Sequence, residues 1–179
     1  IDVLTQEFSL VEVHRAYAPR VHTKGVVALY RSVRHANLVV VDKLNGGKAD
    51  ALNVGLNLAS GELVCAIDAD TLIERGALVR LARPMIIDAQ VVATGGTIRP
   101  VNAVPTKNGR VLDVTVPRTM LAGIQVVEYL RAFLLGRLGL NRLGGNLIIS
   151  GAFGLFRREP MIAAGGWLHD TVGEDMELV

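Results

Sequence analysis

The chain has 179 residues, of which 50% are hydrophobic, 20% charged and only 4% aromatic. That balance describes a globular chain of about one domain, and it excludes both a disordered segment and an aromatic-rich β-sandwich. The net charge of +2 is too small to argue for nucleic acid or an anionic lipid surface, and the single cysteine, Cys65, excludes an internal disulfide or a cysteine-built zinc cluster.

Ile1 to Leu10 mixes charges among its apolar residues and has no basic start, so it does not read as a signal peptide. No run of 18 uncharged apolar residues occurs, so no segment of this sequence is expected to span a membrane unaided. The first residue is not Met and the last ones still read as helix, which suggests a piece of a longer protein, truncated at both ends. Three short Val/Ile/Leu-rich runs read as strands covered on both faces: Asn37 to Val41, Leu63 to Ile67 and Val91 to Thr94. Between the first two, Ala49, Leu52, Leu56 and Ala59 recur at helical spacing over Lys48 to Leu58, and Ser60-Gly61 ends that helix. A second helix is expected over Ala77 to Ala82, closed by Pro84. The order strand–helix–strand–helix–strand predicts an α/β fold with a mostly parallel sheet flanked by helices.

Beyond Arg99 the pattern changes. Asn108-Gly109 predicts a hairpin within a proline-containing excursion, and Leu121 to Leu135 reads as a strongly apolar helix interrupted by Gln125, Glu128 and Arg131. That helix fits either core packing or a membrane interface. A last strand is expected within Leu147 to Phe156, then a helix around Glu159 to Ala164 and the Gly165-Gly166 turn. The expected organisation is one partial domain in two halves, residues 1–98 and residues 99–179.

Asp68-Ala69-Asp70 follows Leu63 to Ile67 directly. Ligands of open parallel sheets bind beyond the carboxyl ends of strands, and two carboxylates two residues apart project alike if the chain stays extended. Such oxygen ligands suit Mg²⁺ or Mn²⁺, which also keeps substrate phosphates and water in its shell. Two chemistries use this pattern. In haloacid-dehalogenase-like phosphatases Asp68 would be a nucleophile and Asp70 a general acid, within Asp68-Ala69-Asp70-Thr71. In sugar-nucleotide transferases the pair holds ribose and metal.

The flanks separate these two readings. Asn45-Gly46-Gly47-Lys48 opens a helix with glycines and a first-turn lysine, a natural phosphate site through free N–H groups and the helix dipole. It is not a Walker A loop. Downstream, Glu174-Asp175 forms a second acidic cluster that supplies a general base or merely caps a helix. Trp167 suits either a sugar-stacking face or the core. The four histidines lack metal-ligand spacing.

Together, Asn45 to Asn53, Asp68 to Asp70, Ser150-Gly151-Ala152 before Phe156-Arg157-Arg158, Gly165-Gly166-Trp167 and Glu174-Asp175 resemble a known family in order and approximate spacing. It is the processive, membrane-associated branch of the family 2 inverting glycosyltransferases, which includes cellulose, hyaluronan and poly-N-acetylglucosamine synthases. The resemblance implies a Rossmann-like GT-A fold and one catalytic Mg²⁺ or Mn²⁺. By it, Asp70 would contact the metal with Asp68 on the nucleotide beside it, and Lys48 with Gly47 would meet the donor diphosphate. Asp175, with Glu174 next to it, would deprotonate the acceptor hydroxyl. Ser150, Gly151 and Trp167 would line the acceptor side. The implied partners are a nucleotide-sugar donor, with uridine the expected base, a glycan acceptor, and a membrane reached on its cytoplasmic face through segments absent here. By the resemblance, residues 1–98 would be the nucleotide-sugar-binding half and 99–179 the acceptor-side half. The family's Asp-Gly-Ser-X-Asp and Gln-X-X-Arg-Trp elements are missing from these residues, so the isolated piece is expected to transfer little or no sugar, and the alternative is a non-catalytic nucleotide-sugar-binding module.

Overall fold

The structure is a computed structural model, and it describes residues 1–14, 17–99, 101, 105–107, 110–112, 117, 119–131, 149 and 153–168. Two compact units divide the chain at Ser60/Gly61, one of them regaining the chain after Met161.

The first unit holds Ile1–Ser60 and 162–168. After helix α1 (Asp2–Phe8) come β1 (Leu10–Glu12), β2 (Val26–Ser32) and β3 (Val39–Lys43), an antiparallel sheet in the order β1-β2-β3. β2 is central, with Leu29 opposite Val41 and Val11 opposite Arg31. Helix α2 (Gly47–Leu58) follows, and buries Ala49, Val54 and Leu56 beside three polar residues, Asp50, Asn53 and Asn57. Spacings of three and four along a 3.6-residue helix put these three on one side.

The second unit runs over Gly61–Met161. It contains β4 (Leu63–Ile67), α3 (Ala77–Ile87), β5 (Ala93–Gly95), the pair β6 (Thr106–Lys107) and β7 (Arg110–Val111), α4 (Met120–Leu130) and β8 (Phe153–Arg157). Its main sheet has the order β4-β8-β5, with Cys65 opposite Leu155 and Thr94 opposite Leu155 on the other side. Buried Phe153, Leu155, Phe156 and Met85 form its core. A final helix, α5 (Arg158–Ala163), follows β8, and the division between the units falls within it.

The α/β class holds, and the expected strand and helix order is found, but every strand pairing among the described residues is antiparallel. The reason is β8. β4 and β5 are each antiparallel to β8, so they run in the same direction as each other, as a right-handed β–α–β unit requires. The late strand β8 lies between them and takes both their hydrogen-bonding edges. Among the described residues β4 is accordingly an edge strand of this sheet, half-buried along Leu63–Cys65 and exposed at Ile67.

The end of α3 also differs. Pro84 does not close α3, which continues to Ile87 with the Asp88 N–H bonded to the Pro84 carbonyl. A proline removes only its own N–H, so the last turn beyond it can still form. The Asn-Gly hairpin is found, with Lys107 opposite Arg110. Much of the expected strand Leu147 to Phe156 and of the helix to Leu135 lies outside the described residues.

Candidate active site

The strand-end carboxylates lie in the second unit. β4 stops at Ile67, and the Asp68 carbonyl accepts the Thr71 N–H at 3.0 Å, so the chain turns at once and does not stay extended. The turn still leaves Asp68, half-buried, and Asp70, exposed, on the wall of one open cavity of about 1200 Å³. β5 ends on the same cavity. Gly96 donates its N–H to the Phe153 carbonyl at 3.0 Å, and a Cβ at Gly96 would overlap the Phe153 ring, so only glycine lets the chain pass there.

Three arginines share the cavity with the carboxylates: Arg75 and Arg80 from the segment after β4, and Arg99 from beyond β5. Arg80 bonds the Glu74 carboxylate and the Arg75 carbonyl at 3.0 and 3.3 Å, which holds its guanidinium near the turn. Carboxylates beside guanidinium groups suit a ligand that carries both a bound cation and phosphate oxygens. Among the described residues no group of three or more His, Cys, Asp or Glu side chains could hold a metal ion. Asp68 and Asp70 are two carboxylates, and a hard divalent ion held there would need ligand phosphates and water to complete its shell. Helix α4 contributes Gln125 and Tyr129 to the same cavity. None of these five residues was singled out from sequence as a site residue. A usable signal existed for two of them, since Gln125 and Tyr129 stand one turn apart on a helix whose one other polar residue is Glu128.

The Asn45–Asn53 element lies in the first unit and has two kinds of residue. Gly47 opens α2 with φ +85° and donates its N–H to Asn45 Oδ1 at 3.0 Å, and Lys48 is exposed in the first turn. Asp50, only 1% exposed, occupies the same turn: its carboxylate takes the Lys24 N–H at 2.7 Å and an ion pair from Lys43. The positive end of the helix therefore already faces a carboxylate of its own, which weakens the dipole argument for phosphate at this point. Further along, Asn53 binds the Trp167 backbone twice at 2.8 Å, accepting its N–H and donating to its carbonyl. Asn57 Oδ1 accepts the Arg20 and Val21 N–H groups at 2.9 and 3.0 Å, and its amide donates to the Val21 carbonyl.

These contacts also explain Gly165-Gly166-Trp167. Both glycines have positive φ, +93° and +77°, and a Cβ at Gly166 would overlap the Asn53 amide. Trp167 is 4% exposed, so of its two expected roles the structure gives it the core one, and its ring offers no face to a sugar. Arg157 is equally structural: it donates to the Val91 and Met85 carbonyls at 3.0 and 2.6 Å and pairs with Glu62 at 2.8 Å. Ser150, Gly151, Glu174 and Asp175 lie outside the described residues. Among the described residues no helix is long and apolar enough to cross a membrane.

The model of glycosyl transferase family 2 matches residues 22–163 of the chain. Poly-beta-1,6-N-acetyl-D-glucosamine synthase of Staphylococcus aureus (strain COL) is 29% identical over 151 residues, covering 83% of this chain and 33% of that protein. The protein of the same name from Staphylococcus epidermidis is 28% identical over 149 residues, with the same coverage of each chain. The chain thus spans about a third of the length of the curated relatives it matches. From residue 22 to residue 163, through α2, the strand-end carboxylates and β8, the chain belongs to glycosyl transferase family 2.

Proposed function

We propose that this chain is the donor-binding part of an inverting, metal-dependent glycosyltransferase that moves a sugar from a uridine-diphosphate sugar to a glycan hydroxyl in polysaccharide synthesis, at the cytoplasmic face of a membrane. The observation that carries this reading is the shared cavity of Asp68, Asp70 and three arginines at the carboxyl end of β4. A phosphatase built on Asp68-Ala69-Asp70-Thr71 finds no support in the family to which the chain belongs.

In this reading Asp70 holds Mg²⁺ or Mn²⁺ against the donor diphosphate and Asp68 meets the nucleotide beside it. The cation, when bound, supplies positive charge that stabilises the departing nucleoside diphosphate. Arg75, Arg80 and Arg99 bind and orient the phosphate oxygens, with Lys48 and Gly47 as further donor contacts. Asp175, with Glu174 beside it, takes the proton of the acceptor hydroxyl. The acceptor oxygen then bonds the anomeric carbon from the face opposite the phosphate, the carbon–oxygen bond to the diphosphate breaks, and the configuration inverts. Ser150 and Gly151 border the acceptor.

Calorimetric titration with UDP, with and without Mn²⁺, tests the reading. Manganese-dependent binding that Asp70→Ala abolishes is expected. Manganese-dependent binding that survives Asp70→Ala would remove Asp70 as the metal ligand, and absence of any binding by the wild-type protein would overturn the transferase reading.

A further inference from the structure

The cavity at the end of β4 is divided by charge. Its charged side chains come from the turn after β4, from α3 and from the segment beyond β5: Asp68, Asp70, Glu74, Arg75, Arg80 and Arg99. α4 gives it only neutral polar groups. Of the eleven residues in α4, Gln125, Glu128 and Tyr129 are the polar or phenolic ones. Gln125 and Tyr129 line the cavity, whereas Glu128 is exposed and bonds Arg131 at 2.8 Å. Residues four apart project from the same side of a helix, so the amide and the phenol ring form one wall.

From this division we infer that Gln125 and Tyr129 form a subsite for a pyranose ring, on the assumption that the cavity binds a nucleotide sugar as proposed above. An anionic diphosphate calls for guanidinium groups and a cation. A sugar ring is neutral, with one face of C–H groups and a rim of hydroxyls. Tyr129, half-buried, has a fixed ring whose face packs against C–H groups, and its hydroxyl is both donor and acceptor. The Gln125 amide carries two donors and one acceptor oxygen, which matches neighbouring hydroxyls. The cavity, at about 1200 Å³, exceeds the roughly 300–1,000 Å³ of ordinary small-ligand pockets, so it has room for a ring beyond the diphosphate. Both the donor's sugar and the growing glycan's terminal sugar have this chemistry.

The test uses the protein as its natural reading frame encodes it, titrated in Mn²⁺ with three probes: UDP, UDP-N-acetylglucosamine and an N-acetylglucosamine oligomer. Tyr129→Ala and Gln125→Leu are expected to leave UDP affinity within about twofold, and to weaken one of the sugar-bearing probes about tenfold. Tyr129→Phe, which keeps the ring, is expected to stay within about threefold of wild type. Loss confined to UDP-N-acetylglucosamine assigns the subsite to the donor sugar, and loss confined to the oligomer assigns it to the glycan end. Equal weakening of UDP and UDP-N-acetylglucosamine, or no change with any probe, overturns the inference while leaving the transferase reading intact. A wild-type protein that binds no UDP overturns both.

Discussion

The polar face of α2 and the strand-end turn after β4 carry the same residue types and use them in opposite ways. On α2, Asp50 and Asn53 are 1% exposed and Asn57 is 7% exposed, and their side chains hold backbone groups of Arg20, Val21, Lys24 and Trp167. After β4, Asp70 is exposed and Asp68 half-buried, on an open cavity. Polar side chains inside a core must be hydrogen-bonded, because an unmade bond there costs most of the desolvation energy. Those on a cavity wall are supplied with partners by water or ligand. The contrast shows that polar residues of similar type divide between scaffold and cavity wall, and that burial tells the two apart.

Substitutions should therefore split into two classes. Asp70→Ala should abolish the manganese-dependent part of UDP binding, read by calorimetric titration, with an unchanged melting temperature. A matching fall in melting temperature would erase the contrast. Asn53→Ala should do the reverse: it leaves the Trp167 N–H and carbonyl unpaired in the core, and should cost about 3 kcal/mol of stability by denaturant titration. Next in size is the chemistry of Cys65 within β4. Partial burial pushes its thiol up to about 11, so at pH 8 it should alkylate about 100-fold more slowly than a free thiol. The protonated form is the one the fold favours, so this contribution to stability is complete below about pH 9 and lost as pH rises toward 11. Iodoacetamide rates from pH 8 to 11 would show it. The smallest effect is Gly166→Ala, where positive φ and the Asn53 amide together should cost about 1–2 kcal/mol, again by denaturant titration.

Local pattern was enough for much of this. The apolar run Leu63 to Ile67 is β4 residue for residue, the helix expected from Lys48 starts one residue earlier at Gly47, and Thr106–Lys107 pairs antiparallel with Arg110–Val111 where a hairpin is expected. These depend on neighbours in sequence: β-branched runs, helical spacing and turn chemistry, all short-range. The placement of Asp68 and Asp70 at a strand's end was legible for the same reason.

What tertiary structure alone decided involves residues far apart. β8 pairs with both β4 and β5 across 85 or more intervening positions for β4 and about sixty for β5, and no local periodicity announces that insertion. Asn53 reads like any helix-surface asparagine until Trp167, 114 residues away, gives its amide a backbone to hold. Arg75, Arg80, Arg99, Gln125 and Tyr129 become cavity residues only when three segments converge. The sequence by itself determined that two carboxylates stand at the end of a strand, because that is a matter of adjacent residues. Which groups face them, and which of the motif's polar residues reach the cavity, followed from long-range packing, where burial and not residue type sets the placement.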